Sequence, residues 1–413
     1  MSLINKKLNI TFFVQSFPAI SEIWITNQIV ALLEDGHHVD IYAQFKADDV
    51  KIHQKVLDYD LLGKTTYLDS LPKSKFRKLK LFFSKLIQNP SFSNLQLSYY
   101  YLVYLLLYKK KKISFYSTIH FLDKPEYDIA HAHYGFNGKY ALLLKEIGLL
   151  KKSKLVTSFH GFDFNVSAGF YDELFNNGHL FIVNSNYSTS KLLALGCSEK
   201  KITKLPVGLQ IDYFVKKSQH LLQPEKKFTL LFVGRFVEFK SPHTFIEICK
   251  SLSDKNIAFE AKMIGDGELR ESVLSLIQKY NLESKVFLFG KQTQEEIKTH
   301  FSNSDVFVLT GVVDSHGIAE TQGLVIQEAQ AMELPVIVSD AGGMREGIIE
   351  NETGYVIKSN DIEGFVEKII YLQANEEVRK ETGRMGRAFV EENYNIQKLN
   401  EKMVAFYHEL MSK

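Results

Sequence analysis

Two carboxylates, Glu320 and Glu328, flank the segment Thr321-Gln-Gly-Leu-Val-Ile-Gln327. Glutamates at this spacing are common on solvated helix faces. Here Gly323 lies between them, followed by a strand-like run, Pro335–Ser339. A glycine lets the chain turn tightly and begin a helix, so Glu320 is expected in a loop and Glu328 near the helix start. The amides around Gly323 and Leu324 would then face an anion. Upstream, Phe228–Val233 reads as a buried strand ending in Gly234 and Arg235, with Lys240 one turn further on. Such cations are ordinarily just solvated. Past the carboxyl end of a strand they suit a diphosphate, arginine through its planar fork and lysine as a point charge. Gly265-Asp-Gly-Glu268 follows a second strand-like run and would bring backbone close to the same ligand.

The first half carries a different set. Ser158-Phe-His-Gly-Phe-Asp163 closes a strand-like run, which puts His160 and Asp163 at its carboxyl edge unless His160 is simply a core histidine. His131 and His133 in His-Ala-His are expected on opposite faces of a strand, poor joint metal ligands, with His133 alone near the site. Asp58-Tyr-Asp60 imitates a metal-binding Asp-x-Asp but lacks a strand before it, so it reads as a solvated turn.

The elements that must position these residues are β-branched and aromatic runs alternating with longer amphipathic stretches. One group is Leu8–Gln15, Val39–Ala43, Ile129–His133, Lys154–Phe159, Phe181–Asn184 and Ile202–Leu205; the other is Phe228–Val233, Phe259–Ile264, Val286–Phe289, Val306–Leu309, Pro335–Ser339 and Tyr355–Ile357. This alternation predicts an α/β chain of two doubly wound parallel sheets. The expected boundaries are a first domain at 1–209, a linker at 210–227, a second domain at 228–390 and a helical stretch at 391–413 that packs back. In such sheets the strand ends face one crevice, so a ligand site is expected in the cleft between the domains.

The chain has 413 residues, 45% hydrophobic and 24% charged, which excludes wholesale disorder. Its two cysteines, Cys197 and Cys249, are too few for a disulfide scaffold or a four-thiolate zinc site and favour a reducing compartment. The net charge of +2 hides an asymmetry, since residues 1–200 carry 24 basic and 17 acidic side chains and residues 201–413 carry 26 and 31. This argues against a general nucleic-acid binder and for an N-terminal half that meets something anionic. The apolar stretch near the N-terminus is broken by Asn9 and Thr11 and reads as a first strand, not a signal peptide. Residues 70–122 hold ten Lys or Arg, from Lys73 to Lys112, and no acid. Phe76, Leu79, Phe82, Phe83, Leu86 and Ile87 recur there at helical spacing. They either pack on the N-terminal sheet or form an interfacial helix on anionic lipid, with Tyr99, Tyr100, Tyr101 and Tyr104 in support.

Taken together, His160-Gly-x-Asp163, Gly234-Arg235 with Lys240, Gly265-Asp-Gly267 and Glu320-x7-Glu328 resemble, in order and over nearly the whole chain, the retaining glycosyltransferases of family 4. These are nucleotide-sugar enzymes of two Rossmann-like domains, the GT-B fold. Ser16-Phe-Pro-Ala-Ile-Ser-Glu22 resembles the opening of members that assemble exopolysaccharide and lipopolysaccharide. Two features depart from the family: the Gly-Gly loop after the first strand is missing, and Thr321 stands where glycine usually follows the first glutamate. The resemblance implies that Arg235 and Lys240 bind and stabilise the departing diphosphate and that Glu328 holds the ribose hydroxyls. Glu320 would contact the transferred sugar, and His160 the sugar and the reacting centre. Gly234, Gly265, Gly323 and Leu324 would complete the donor site. Phe17, Ser21, Glu22, His133 and Asp163 become acceptor-side candidates. The implied donor is a UDP or GDP sugar, with no metal or other cofactor required, and the acceptor a glycan or lipid-linked glycan. The implied location is cytoplasmic, peripheral at the inner face of the membrane if the basic segment binds there. An epimerase or phosphorylase of similar architecture, or a degenerate partner subunit, are the alternatives.

Overall fold

The computed structural model describes residues 6–19, 22–47, 52–70, 74–88, 99, 102, 120–121, 124–216 and 227–412. Two compact units emerge. The first comprises 1–183, 190–205 and 400–413, and the second 184–189 and 206–399.

In the first unit, β1 (Asn9–Phe17), β2 (His38–Lys46), β3 (Thr65–Tyr67), β4 (Ile129–His133), β5 (Lys154–Phe159), β6 (Leu180–Val183) and β7 (Ile202–Lys204) form a 7-stranded sheet in the order β3-β2-β1-β4-β5-β6-β7. In the second, β8 (Thr229–Val233), β9 (Glu260–Ile264), β10 (Val286–Leu288), β11 (Val306–Leu309), β12 (Val336–Ser339) and β13 (Tyr355–Ile357) form a 6-stranded sheet in the order β10-β9-β8-β11-β12-β13. Neighbouring strands are parallel throughout. A parallel sheet needs helical crossovers that cover both faces, so its central strands read as continuous apolar runs; β8 and β11 are buried along their whole length. The helix Pro242–Asp254 after β8 starts with proline at a first-turn position, where no amide is needed, and buries Phe245, Ile246 and Ile248. Each such side chain contributes about 1.5–3 kcal/mol of burial.

Both sheets reverse their strand order, at β1/β4 and at β8/β11. Ligands of doubly wound sheets bind outside the carboxyl ends of the strands at this reversal.

Several boundaries differ from the sequence expectation. β3 was not foreseen, because a three-residue, half-buried edge strand carries no apolar run. β6 ends at Val183, and Asn184 belongs to the second unit, where its amide donates to Thr321 Oγ1 at 3.0 Å. The segment 210–227, expected as a linker, is packed where it is described: Ile211 and Phe214 join the second unit's core together with Leu209. Residues 217–226 lie outside the described residues. The stretch 391–413 is not one helix. A helix ends at Asn393, and a second, Ile396–Ser412, starts after Asn395, whose side chain accepts from the Gln397 amide at 2.9 Å. From Asn400 onward the chain belongs to the first unit.

The helix Lys75–Gln88 leaves Phe76 and Ile87 each 76% exposed, so these two do not pack on the sheet. Lys73 and Lys109–Lys112 lie outside the described residues. Among the described residues no helix is long and apolar enough to cross a membrane. Both cysteines are buried and unpaired.

Candidate functional site

In the second unit the two strands at the reversal, β8 and β11, send out the loops that carry Lys240 and Glu320. Two contacts stitch these loops together: the Val312 amide donates to the Phe239 carbonyl at 2.9 Å, and Thr310 Oγ1 donates to the Ser241 carbonyl at 2.7 Å. Lys240, buried at the end of a 3-10 turn, pairs with the carboxylate of Glu320. The other Glu320 oxygen accepts from the amides of Thr321 and Gly323, each at 3.1 Å. Burial alone would raise this carboxyl, but the Lys240 ammonium and the amides of Gln322 and Gly323 hold it below the usual range. Gly323 sits at φ 77° and leads into the helix Leu324–Ala331, a left-handed position suited to glycine. The anion that its amide meets in this structure is therefore Glu320 itself.

Arg235 is exposed, its guanidinium 5.5 Å from the Phe239 ring centroid. Its loop is fixed from behind. Gly234 donates to the Ile264 carbonyl at 3.0 Å, and Gly265, at φ 137°, lies so close that a Cβ would stand 1.9 Å from the Gly234 carbonyl oxygen. Glu328 lies in the helix Leu324–Ala331, where burial pushes its carboxyl up to about 7 against the lowering effect of a hydrogen bond with Gln294. The structure thus joins Lys240 to Glu320 and Gly234 to Gly265 by direct contact, with Glu328 on the helix that Glu320 and Gly323 introduce.

In the first unit, β4 and β5 present His131, His133 and His160. The expectation for the first two fails: residues two apart on a strand share a face, and their rings stack with centroids 4.7 Å apart. His133 Nδ1 lies 3.0 Å from His160 Nε2. His131 bonds Tyr407 OH at 2.5 Å and Ser158 Oγ at 2.7 Å.

The acceptor-side candidates separate. Asp163 is fully buried, and its carboxylate accepts from the amides of Gly135 (3.0 Å), His160 (3.1 Å) and Gly161 (2.9 Å). Burial pushes it up to about 6 against those donors. It faces inward and holds the His160 loop. Phe17, 2% exposed, is a core residue at the end of β1. Glu22 accepts from Tyr134 OH at 2.6 Å, and burial raises its carboxyl against that bond. Ser21 lies outside the described residues. Among the described residues no group of three or more His, Cys, Asp or Glu could hold a metal ion, and Asp58 and Asp60 are exposed.

Sequence reasoning passed over the rings that enclose the histidines. Trp24 lies 4.4 Å from His160 and 5.2 Å from His133, and Tyr134 lies 5.0 Å from His160. One signal was available, since Trp24 is the chain's one tryptophan, two residues past the Ser-Glu motif.

Residues 215–389 match the family described as Glycosyl transferases group 1. The chain is 29% identical over 403 residues to the amylovoran biosynthesis glycosyltransferase AmsK of Erwinia amylovora, covering 94% of this chain and 96% of the relative. It is 26% identical to the putative colanic acid biosynthesis glycosyltransferase WcaL of Escherichia coli K12, covering 98% and 100%. Among solved structures, Anabaena Alr3699/HepE in complex with UDP superposes with a TM-score of 0.70 at 15% identity, covering 97% and 99%. Residues 215–389 are thus similar to Glycosyl transferases group 1, the whole chain is similar to these exopolysaccharide glycosyltransferases, and its two Rossmann-like parallel-sheet units share the GT-B fold of the solved structure.

Proposed function

We propose that the chain is a retaining glycosyltransferase that moves a sugar from an α-linked UDP or GDP sugar to a glycan or lipid-linked glycan. It forms an α-glycosidic bond in cell-surface polysaccharide synthesis. The observation that carries this reading is the Lys240–Glu320 pair set across the strand reversal of the second unit. As the sugar leaves, its nucleoside diphosphate gathers negative charge, and a preorganised cation aimed at that charge lowers the barrier more than it tightens the ground state. An ammonium has three donors, so Lys240 can keep Glu320 and also reach a phosphate oxygen. Arg235 supplies a second cation, and the reading calls for no divalent metal. Glu320 contacts the transferred sugar, Glu328 accepts from the ribose hydroxyls, and His160 serves the acceptor side from the first unit. The similarity to AmsK and WcaL, glycosyltransferases of amylovoran and colanic acid biosynthesis, supports polysaccharide synthesis, and UDP in the HepE complex makes UDP sugars the first donors to try.

The test is a melting-temperature screen against UDP, GDP and ADP sugars, followed by transfer assays with the best donor. A ligand at about 100 times its Kd adds about 2.7 kcal/mol of stability, a readable shift. If no nucleotide sugar shifts the transition or is consumed, the reading is wrong. Glu328 adds a pH signature. Its carboxyl titrates near about 7, and only the ionised form accepts from both ribose hydroxyls, so the donor KM should fall as pH rises from about 6 to 8. In Glu328→Gln the KM should be higher and flat over that range. A wild-type KM without this slope removes Glu328 from the ribose.

The acceptor's setting follows from the basic segment. The helix Lys75–Gln88 shows Phe76 and Ile87 to solvent beside the exposed Arg77 and Lys80, a pattern that suits the cytoplasmic face of an anionic bilayer. Wild type should co-sediment with anionic vesicles at low salt and less so at high salt, and Phe76→Ser with Ile87→Ser should bind more weakly. Equal binding by wild type and double variant, or no binding by either, would leave this helix a solvated face.

A further inference from the structure

The loop that carries His160 also presents an aromatic ring to solvent. Phe162 stands two residues further on, in the 3-10 turn Phe162–Phe164, and is 74% exposed. A single phenylalanine on a protein surface is ordinary. This one is neither alone nor on a loose segment. Its ring lies 6.3 Å from that of Phe136, itself 38% exposed, in the helix Gly135–Glu146 that follows β4. Phe136 is backed in turn by Phe170 at 5.5 Å and Tyr171 at 6.0 Å.

The backbone beneath the pair is fixed by one buried side chain. The Asp163 carboxylate accepts from the amides of His160 and Gly161, which precede Phe162, and from the amide of Gly135, which precedes Phe136. Gly161 sits at φ 132°, a value suited to glycine, and gives the chain its turn into Phe162. The two rings are therefore a preorganised apolar face past the carboxyl ends of β4 and β5, on the same loop as His160.

A bilayer, a nucleotide base or a sugar ring could each cover such a face. The groups suited to a nucleotide, Arg235, Lys240 and Glu328, all belong to the second unit. The charges beside the rings disfavour anionic lipid. Asp172 and Glu173, which follow Tyr171, are exposed, and Lys139, one turn on from Phe136, is engaged by the Phe170 carbonyl at 2.8 Å and ring at 3.7 Å. A sugar ring fits: its C–H bonds make a weakly positive apolar face that the negative face of a phenyl ring attracts, while its hydroxyls stay in water.

We propose that Phe162 and Phe136 form a sugar platform in the first unit, taking the apolar face of the acceptor ring next to the one that receives the transferred sugar. The inference rests on the reading of His160 as an acceptor-side residue of a transferase. It makes Phe162 a specificity-determining residue, so that acceptors of two or more sugars are preferred to single ones.

The test is saturation-transfer NMR on the full chain, with maltose, lactose and mannobiose against methyl glucoside, galactoside and mannoside. At least one disaccharide should bind more tightly than its single-ring counterpart, and Phe162→Ser should weaken it by about 3- to 10-fold, the scale of one aromatic contact. Phe162→Trp should keep the binding, whereas Phe162→Leu, apolar but without a π face, should lose most of it. The side chain is exposed, so all three variants should melt with wild type. In transfer assays Phe162→Ser should raise the acceptor KM by the same factor and leave the donor KM unchanged. No binding by any of the disaccharides, equal binding by wild type and Phe162→Ser, or full binding by Phe162→Leu overturns the proposal. So does a Phe162→Ser variant that loses only binding to anionic vesicles, which would assign the rings to a bilayer. A disaccharide held through Phe162 by a chain that consumes no nucleotide sugar would sustain the platform and end the transferase reading. Transfer with the same acceptor KM in wild type and Phe162→Ser would do the reverse.

Discussion

Replacing Lys240 by methionine should lower turnover by about 100- to 1000-fold, the loss seen when one preorganised electrostatic donor is removed. Stability should fall too, and for a separable reason. Lys240 and Glu320 are paired in a largely buried position, their side chains 10% and 17% exposed. Removing one member of such a pair strands the other as a buried charge, at a cost of about 3–5 kcal/mol. Glu320 is held below its usual range while Lys240 is present, so the pair contributes stability that is present above the unfolded carboxyl pKa and lost as pH falls through the folded one. Without Lys240 burial dominates, the Glu320 carboxyl rises, and the variant should melt closest to wild type in mild acid. Lys240→Met with Glu320→Gln removes both charges and should regain much of the melting temperature, but none of the activity. Calorimetry and steady-state rates on the two variants decide the matter. A single variant with near-normal turnover and intact fold would remove Lys240 from the diphosphate. A double variant that recovers rate as well as stability would reduce the pair to a structural contact.

Gly265→Ala should be the most damaging single methyl in the second unit. At φ 137° an L-residue is strained, and its Cβ would stand 1.9 Å from the Gly234 carbonyl oxygen and 2.9 Å from the Gly234 carbonyl carbon. Backbone strain of this kind costs about 1–3 kcal/mol, and forcing apart a packed contact about 1–3 kcal/mol more. For a unit of this size each kcal/mol is about 2–4 °C of melting temperature. The methyl must also push the loop after β8 away from the loop after β9, so Arg235 moves with Gly234 and donor affinity should fall with stability. Gly317→Ala is the control: it too has a positive φ, 75°, but nothing lies within 4 Å of its Cβ, so it should show the backbone cost alone. If the two variants melt together and bind donor equally well, close backbone approach does not set the position of Arg235.

Much of this frame was legible because burial on both faces of a parallel sheet writes itself as an apolar run. Ile129–His133, Lys154–Phe159, Val306–Leu309 and Tyr355–Ile357 occupy the predicted bounds, and other predicted strands are shifted by one to three residues at their ends. Thr65–Tyr67 was invisible because an edge strand buries little. Lys240 and Glu320 were both singled out, but their pairing was not, since it depends on β8 and β11 being neighbours although 72 residues separate Val233 from Val306. The same-face stacking of His131 and His133 follows from the two-residue period of a strand and was misread. The placing of Trp24 against His133 and His160 and of Tyr134 against His160, and the bond from Tyr407 to His131, arise from tertiary contacts for which local pattern has no notation.

The return of the chain to the first unit at Asn400 constrains the order in which a ribosome can deliver this protein. Tyr407 is fully buried and bonds His131, so the first unit lacks a core side chain and a hydrogen-bond partner until that residue is made. Between Leu205 and Asn400 runs the bulk of the second unit, Pro206–Leu399. At about 5–20 residues per second this stretch takes about 10–40 s to synthesise. During that interval the nascent first sheet has its seven strands but an open edge to its interior around His131, while the second unit, apart from the six residues 184–189, is one continuous stretch able to fold as it emerges. The half of the protein that is translated first is therefore the half that finishes last, and chaperones that shield exposed apolar surface should associate with it until the final helix arrives.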